Sequence, residues 1–522
     1  MPVRLTFYDG VGCIGGNKIL LEDGPTGLLL DFGTSFSAEA RFFDEFLGPR
    51  STFGFSDLLA LDILPPLEGL YRPDLEYVGV WESYHQHPLH RRLEVRAVVL
   101  SHAHLDHCGY LSYLRTDMPV FSTLTTALIL KAVQDTGSTA RLQEPVYTTP
   151  RELREGLLRP ANSRRVGYVR RPFRVLAPGA SFDRAISFWN RSYGLRPLSG
   201  PQLETWEGVQ SVEGLEVRLW PVDHSVPGAS AVGVRTSSGW VVYTGDLRLH
   251  GRQADLTRRF LQEAARLHPV VLICEGTHPQ VARPISEEEV KDNSFKVVRA
   301  STGLVVADFG PRNVERLLSF LEIADLTGRC LVLTPKDFYL LEALSAAGEA
   351  EVPNPETDPR LYLYAKPKAV LAGWEKDLLE RFSGLAPERV VEARTIRNNP
   401  ARFILCFSYY DFHALLDIGP IGGTYVYSSS EAFDEEMLLD QERVRNWIDR
   451  FGFELFGTLG REREKSGFHA SGHIHGPGLE ELVHTVKPQI LVPVHTQEVS
   501  FFDRFRETCR VVVPRRGESL EV

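Results

Sequence analysis

The chain has 522 residues, a formal net charge of −10 and 43% hydrophobic residues. This length suits two or more domains with a large core, and no apolar run is long enough to cross a bilayer. The N-terminus lacks the apolar segment of a signal peptide, and the six cysteines form no C-x-x-C pair. These features argue against a secreted disulfide scaffold or a membrane protein and favour a reducing, cytoplasmic location.

The first predicted elements carry the glycine pattern G-x-G-x-x-G, at Gly10, Gly12 and Gly15. A dinucleotide site needs a helix after these glycines, because the N-terminus of that helix receives the pyrophosphate. Here the β-type run 17–22 follows instead, and after a turn comes the strand 27–31. We therefore interpret the glycines as part of a hairpin that starts a sheet, and nucleotide binding by this motif is rejected.

A cluster of potential metal ligands follows an apolar strand predicted at 95–100. His102, His104, Asp106 and His107 fall within six residues, where this strand gives way to a loop. Imidazole nitrogens and carboxylates are the donors that zinc and other borderline divalent ions prefer. His102 and His104 can converge on one ion, whereas Asp106 and His107 would face a second. The spacing predicts a metal-dependent hydrolase.

The segment from Arg151 to Val175 is basic within an acidic chain. It contains eight arginines against two glutamates, a local charge of +6, with Tyr168 and Phe173 interleaved. This pattern is typical of a surface that follows a nucleic-acid backbone and stacks on bases. It is equally typical of a solvated loop whose arginines pair with acidic residues nearby. The candidates for contact with nucleic acid are Arg164, Arg165, Arg170 and Arg171.

The ligand cluster resembles the signature of the metallo-β-lactamase fold superfamily, which implies further ligands at the ends of later strands. A predicted strand at 215–223 ends before His224. Likewise, a strand at 240–245 is followed by Asp246, and one at 488–494 by His495. Loops held by rigid strands are the common support for such sites.

A different α/β unit separates the early ligands from His495. The strands predicted in it are 303–307, 330–333, 368–371 and 402–406, with amphipathic helices between them. Because a ligand returns after this unit, the unit is predicted to be inserted into the first domain. The expected fold is an α/β metallo-β-lactamase αββα sandwich, formed by 1–285 and 426–522, with an inserted α/β domain at 286–425. Longer insertions are expected near 70–95 and 135–205.

The block from Ala470 to His473, with the helix and strand that lead to His495, resembles the β-CASP nucleases, ribonuclease J in particular. Glu275 at a strand end and the segment 309–317 also match this family. The resemblance implies a nuclease. Members that act on DNA generally have valine at the position of His495, whereas members that process RNA have histidine, so RNA is favoured over DNA as the partner.

The resemblance also implies roles for individual side chains. Two divalent ions are expected, zinc first and manganese as the alternative, to activate water for phosphodiester hydrolysis. His473 is the candidate general acid, and Glu275 would hold it in the right tautomer. Asp31 would orient the metal loop. The ligand sets are His102, His104 and His224 for one ion, Asp106, His107 and His495 for the other, and Asp246 between them; the candidate catalytic residues are Asp106, His473 and Glu275, and Ser428, Ser429 and Ser471 could donate to a substrate phosphate.

Several alternatives stay open at this point. A DNA nuclease of the same family, a small-molecule metallohydrolase such as a lactonase or thioesterase, and a non-catalytic protein with the same fold all share this core. The serines could equally cap turns. His475 is assigned a structural or exposed role, and His250, His278 and His469 receive none. Exonucleolytic or endonucleolytic cleavage and the oligomeric state are also left open.

Overall fold

The structure of the protein is a computed structural model that describes residues 2–44, 46–137, 142–177, 182–194, 196–206, 210–310, 312–349, 351–429, 435–460 and 467–522. Among the helices in these ranges, none combines the length and the apolar character that crossing a membrane requires.

The strands are numbered in chain order. They are β1 (Arg4–Asp9), β2 (Lys18–Asp23), β3 (Thr26–Phe32), β4 (Leu67–Glu68), β5 (Arg91–Arg92), β6 (Val95–Val99), β7 (Val120–Thr123), β8 (Tyr147–Thr148), β9 (Arg151–Arg154), β10 (Leu157–Pro160), β11 (Tyr168–Arg170), β12 (Phe173–Leu176), β13 (Leu198–Ser199), β14 (Glu204–Trp206), β15 (Gln210–Val212), β16 (Leu215–Pro221), β17 (Ser230–Thr236), β18 (Gly239–Tyr243), β19 (Val271–Cys274), β20 (Val305–Asp308), β21 (Cys330–Leu333), β22 (Leu361–Tyr364), β23 (Val390–Val391), β24 (Phe403–Cys406), β25 (Gly423–Tyr427), β26 (Phe453–Phe456), β27 (Ile490–Pro493), β28 (Arg510–Val511) and β29 (Ser519–Glu521).

The α-helices are numbered in the same way. They are α1 (Phe36–Glu39), α2 (Ser56–Ala60), α3 (Leu105–Cys108), α4 (Leu124–Thr136), α5 (Phe182–Trp189), α6 (Ala254–Leu267), α7 (Glu287–Ala300), α8 (Val314–Thr327), α9 (Pro335–Ala347), α10 (Gly373–Leu385), α11 (Ala393–Asn398), α12 (His413–Ile418), α13 (Glu435–Phe451) and α14 (Gly476–Val486).

Two sheets pack face to face and form the first domain. One has the order β14-β12-β7-β6-β3-β2-β1-β29, and the other has the order β15-β16-β17-β18-β19-β27-β28. Their inner faces share one apolar core, in which Leu5, Phe7 and Leu28 meet Val217, Val241 and Ile273, all buried. Such a core forms because alternate residues of a strand point to the same face of its sheet.

Helices cover the outer faces of both sheets. On the second sheet, α6 and α14 bury Phe260, Leu261 and Leu482 against Leu272 and Leu491. On the first sheet, α4 packs through Leu128 and its neighbours, and that core continues into the inserted unit. The fold is therefore the αββα sandwich of the metallo-β-lactamase type, as the sequence predicts.

The inserted unit has its own parallel sheet, in the order β23-β22-β21-β24-β20-β25-β26. It leaves the sandwich after β19, and the chain returns to the sandwich at β27, which pairs with β19 in parallel. An inserted α/β domain, the β-CASP arrangement, is thus confirmed as part of the fold.

Two details of the sequence prediction are wrong. The inserted unit does not end at 425, because β25 pairs with β20 and β26 pairs with β25, so the unit extends at least to Phe456. The strand predicted at 368–371 lies instead at β22, seven residues earlier. Leu361–Tyr364 alternates aliphatic and aromatic residues, whereas Pro367, which has no backbone N–H, comes immediately before the predicted run.

Candidate metal centre

The predicted ligands come together where the strands of both sheets leave the core. Asp31 lies near the end of β3, Asp246 follows β18, Glu275 follows β19 and His495 follows β27. The cluster of histidines begins after β6 and continues into α3. Because the sandwich aligns these strand ends, side chains that are up to 389 residues apart in sequence meet.

One set of imidazoles surrounds a single point. The Nδ1 atom of His104 lies 3.2 Å from Nε2 of His102 and 3.1 Å from Nε2 of His224. The Oδ2 atom of Asp246 lies 3.5 Å from the His102 nitrogen and 3.9 Å from that of His224. These four side chains could hold one metal ion.

A second set lies on the other side of Asp246. Its Oδ2 atom is 3.2 Å from Nε2 of His107 and 3.7 Å from Nε2 of His495. Asp106 completes this set, with Oδ2 at 3.1 Å from the His495 nitrogen. The two sets share Asp246, as the sequence-based assignment proposes for a bridging carboxylate.

The donor chemistry fits divalent cations. Asp246 is 1% exposed, yet neither of its carboxylate oxygens has a hydrogen-bond partner in the described parts of the chain. A buried, unsatisfied carboxylate costs free energy unless a cation or a donor compensates it. Burial lowers the pKa of His104 to about 4, so this imidazole is neutral at pH 7 and able to bind a metal.

Protein groups hold the second ring nitrogen of several of these imidazoles. Nδ1 of His107 lies 2.7 Å from Oδ2 of Asp31, and Nδ1 of His224 lies 2.6 Å from the carbonyl oxygen of Gly472. The hydroxyl of Tyr243 donates to Asp31 at 2.8 Å. Such contacts fix the tautomer and the direction of a metal-binding histidine. Asp31 therefore lies where the sequence predicts it, against the metal loop.

The backbone around the centre is unusual in two places. Asp31 and His495 have φ angles of 58° and 52°, a left-handed conformation that is uncommon for residues other than glycine.

Gly15 and Gly33 pack against Asp106, and a Cβ atom at Gly33 would lie 1.6 Å from the Asp106 carbonyl oxygen. Gly15 of the glycine-rich loop and Gly33 after β3 therefore let the metal loop pack closely, and strand β2, not a helix, follows the glycine-rich loop.

His473 lies beside the two sets with Glu275 at its Nδ1 atom. The Glu275 Oε2 atom is 3.1 Å away, and Oδ2 of Asp246 is 3.7 Å away. Burial alone would disfavour the His473 cation, but the Glu275 and Asp246 carboxylates outweigh it and raise the pKa of His473 to about 9. Asp246, Glu275, His473 and His495 also form a third set close enough to hold a metal.

Thr277, which the sequence analysis did not single out, links these groups. Its hydroxyl oxygen lies 3.0 Å from Glu275, 3.2 Å from Nδ1 of His473 and 2.9 Å from Nδ1 of His495. Its place two residues after Glu275, at the same strand end, is a signal in the sequence that could have revealed it.

A buried ionic network joins the metal loops to the inserted unit. Arg248 is fully buried and donates to Asp223, which precedes His224, at 3.1 Å. It also donates to the Ser471 carbonyl oxygen at 3.1 Å, and to Glu287 at 3.0 Å and Glu315 at 2.6 Å, at the starts of α7 and α8. The network therefore positions two metal-site loops against the inserted unit.

We expect Arg248→Met to destabilise the protein by about 3–5 kcal/mol, because it leaves several buried carboxylates without their cation. Urea unfolding followed by circular dichroism measures this change. Arg283→Met is the matched control, because its ion pair with Glu289 at 2.8 Å is exposed, and such surface pairs contribute about 0–1 kcal/mol. Equal free energies of unfolding for both variants would contradict a stabilising role of the buried network.

The three candidate serines differ in their surroundings. Ser428 is 1% exposed, and its hydroxyl contacts Arg316 and the Phe468 carbonyl oxygen. Ser471 is 6% exposed and accepts the backbone N–H of His473 at 3.2 Å. Ser429 is half-buried, two residues after β25. Ser428 and Ser471 therefore hold protein groups, and substrate contact by any of the three serines stays a prediction.

The predicted arginine surface needs a correction. Arg164 and Arg165 are exposed, but Arg170 is 6% exposed and Arg171 is fully buried. Arg171 donates to the carbonyl oxygens of Leu111 and Leu114 at 2.8 and 2.9 Å. Arg171 therefore holds backbone segments inside the first domain, and neither arginine presents its charge at the surface.

The rings of three further histidines form a cluster that reaches His473 through His278, at 6.0 Å between ring centroids. The rings of His250 and His475 are 4.6 Å apart, and those of His278 and His475 are 5.9 Å apart. His475 is 4% exposed, which fits the structural role predicted for it. The half-buried His469 lies four residues before His473.

The sequence of this chain is similar to those of known proteins. No protein-family model matches the chain. Ribonuclease J of Mycolicibacterium smegmatis is 23% identical over 506 residues, which cover 94% of this chain and 68% of the relative. Ribonuclease J 2 of Streptococcus pyogenes is 23% identical over 504 residues, covering 94% and 69%, respectively.

A solved structure shares the fold. The crystal structure of a protein of unknown function from Enterococcus faecalis V583 superposes with a TM-score of 0.67 and 22% identity, covering 100% of each chain. Fold, insertion and sequence similarity agree. Over 94% of its length the chain is thus similar to proteins named ribonuclease J, and it has the metallo-β-lactamase fold with an inserted α/β domain that the sequence predicts.

Proposed function

We propose that this protein is a metal-dependent phosphodiesterase that cleaves RNA. One observation carries the proposal: two sets of buried ligands share Asp246, next to the pair of His473 and Glu275. An acid–base pair beside a cation site suits hydrolysis of a phosphodiester. The relatives named ribonuclease J support RNA as the substrate.

The residues that would hold the cations are His102, His104 and His224 on one side, and Asp106, His107 and His495 on the other, with Asp246 between them. Histidine with carboxylate donors favours zinc, and manganese is the alternative. Two bound cations would supply acidification of water and stabilisation of negative charge on the phosphoryl group.

The chain's own contribution is proton transfer and orientation. Glu275 and Thr277 occupy the Nδ1 side of His473, which leaves Nε2 to protonate the leaving oxygen. Glu275 also accepts the backbone N–H of Leu247 at 2.8 Å, next to Asp246. It therefore fixes the proton donor relative to the metal loops, and such positioning matters because proton transfer requires hydrogen-bond reach.

The inserted unit places an arginine side chain next to this centre. Arg312, just before α8, donates to the carbonyl oxygen of Ala103, between His102 and His104, at 3.0 Å. Burial lowers the pKa of Arg312, and within the described parts of the chain no carboxylate forms an ion pair with it. A guanidinium so placed suits a phosphate group of a substrate that lies between the two units.

The proposal is tested with end-labelled RNA and DNA of one sequence, incubated with the protein and Mn²⁺ or Zn²⁺. We expect metal-dependent cleavage of RNA, and a chelator should abolish it. Cleavage of DNA alone would assign the site to a DNA nuclease, and cleavage of neither would contradict the proposal. Mononucleotide products would indicate exonucleolytic action, and internal fragments would indicate endonucleolytic action. The cytoplasmic location stays a prediction.

We expect the double variant Arg164→Gln/Arg165→Gln to weaken binding of long single-stranded RNA more than cleavage of a dinucleotide. Phosphate contacts away from the centre add affinity through counterion release, which a dinucleotide is too short to use. The slope of log affinity against log salt should fall by up to about 0.7 for each lost contact. Fluorescence anisotropy at several salt concentrations measures both quantities.

The matched control is Arg258→Gln/Arg259→Gln, which removes the same charge from the exposed face of α6. If both double variants change affinity and salt slope equally, Arg164 and Arg165 belong to a solvated loop.

A further inference from the structure

The inserted sheet has a topological switch point near its centre. Its strands are parallel throughout, and the chain passes from β20 to β21 on one side and from β24 to β25 on the other. In open α/β sheets, ligands bind outside the carboxyl ends of the strands at such a point.

A cavity of about 400 Å³ lies there. Residues at the ends of four strands line it: Ala307, Thr334, Tyr364 and Cys406. Its lining contains none of the metal-centre side chains. The volume falls within the range of about 300–1,000 Å³ that is usual for small-molecule sites.

The walls of this cavity are aromatic. Phe309, Trp374 and Phe407 line it and are 8%, 6% and 1% exposed, respectively. Tyr364 is also 1% exposed, and its hydroxyl has no hydrogen-bond partner within the described ranges. Leaving a buried hydroxyl unsatisfied is unfavourable, and a polar group of a ligand can satisfy it.

Two lysine side chains contribute positive charge to the lining. Lys336 and Lys366 form no ion pair with any described residue, and Lys336 is at the second position of the 13-residue helix α9. Pro335 has no N–H, and the N–H groups of Asp337 and Phe338 bond to Thr334, so the Lys336 N–H is the first-turn donor that remains for an anion.

The acidic residues in the lining are engaged locally. Glu375 pairs with Lys368 at 2.7 Å, and Asp411 accepts the backbone N–H of Ser408 at 3.2 Å. Asp337 accepts the Thr334 hydroxyl at 2.7 Å, and burial raises the pKa of its carboxyl to about 7. Lys336 and Lys366 are therefore the charges free to meet a ligand.

We propose that this crevice binds a phosphate monoester with an aromatic ring, of the size of a nucleoside 5′-monophosphate. The phosphate would meet Lys336, Lys366 and the first turn of α9, and the ring would pack against Trp374. This site is separate from the metal centre, and the inference does not depend on the proposed nuclease activity.

The test is titration of the whole protein with AMP and UMP in a buffer that contains EDTA, followed by tryptophan fluorescence and calorimetry. We expect saturable binding with a Kd below about 1 mM, and binding of adenosine or inorganic phosphate at least about tenfold weaker. Lys336→Gln/Lys366→Gln should weaken AMP binding at least about tenfold, because charge-assisted hydrogen bonds are lost.

Lys376→Gln is the control for the lysine variant, since Lys376 is exposed on α10 and pairs with Glu380 at 3.7 Å; it should bind AMP like the wild type. Trp374→Phe should remove most of the fluorescence change and keep the heat of binding. Absence of saturable heat, unchanged affinity in the double lysine variant, or loss of binding in Asp246→Asn would each overturn the proposal. The last result would place the nucleotide at the metal centre.

Discussion

Asp246→Asn is expected to lower RNA cleavage by about 10³-fold or more while the fold stays intact. The change removes one charge without removing volume, and this carboxylate is the only group shared by both ligand sets among the described residues. Stabilisation of transition-state charge by bound cations contributes several kcal/mol, and each 1.36 kcal/mol corresponds to a tenfold change in rate. Turnover of labelled RNA, metal content and circular dichroism measure the three consequences.

Asp255→Asn is the control for this variant, because Asp255 is an exposed aspartate at the start of α6. It should retain full turnover and full metal content. Unchanged turnover in Asp246→Asn, with native metal content, would rule out a two-cation site that depends on this carboxylate.

His473→Ala is expected to lower turnover by about 10²–10⁴-fold, as loss of a general acid does, while metal content stays near that of the wild type. His473 must be protonated to donate, and with a pKa raised to about 9 it carries its proton at neutral pH. Bound cations would lower this pKa, so the alkaline fall in activity should lie at or below pH 9. That fall should disappear in the variant.

His484→Ala, on the exposed side of α14, is the matched control and should leave the rate and its pH dependence unchanged. A different result would change the assignment of His473. If His473→Ala loses metal, His473 is itself a ligand, in the third set with Asp246, Glu275 and His495.

Local sequence patterns carried much of the fold and of the centre. The run of ligands after β6 follows from the chemistry of imidazole and carboxylate donors, and the strand ends before Asp246 and His495 are visible as apolar runs. Such runs can be recognised because a half-buried strand alternates apolar and polar residues, whereas a fully buried strand is continuously apolar. The return of a ligand after 286–425 was enough to predict an insertion.

Other features depended on contacts between distant segments. The second boundary of the inserted unit was placed too early because β25 and β26 join a sheet whose other strands lie earlier in the chain. Arg248 has no sequence pattern of its own, since its importance comes from partners up to 223 residues away.

The arginines of the basic segment show most clearly which properties the sequence determines and which depend on the tertiary structure. The sequence alone determined their number and local charge, but Arg164 and Arg171 look alike in it. Only the tertiary structure decided that Arg164 is exposed and that Arg171 is buried against backbone carbonyl oxygens. The physical reason is that composition fixes how much charge a segment carries, whereas packing of the chain around it fixes which charges reach water.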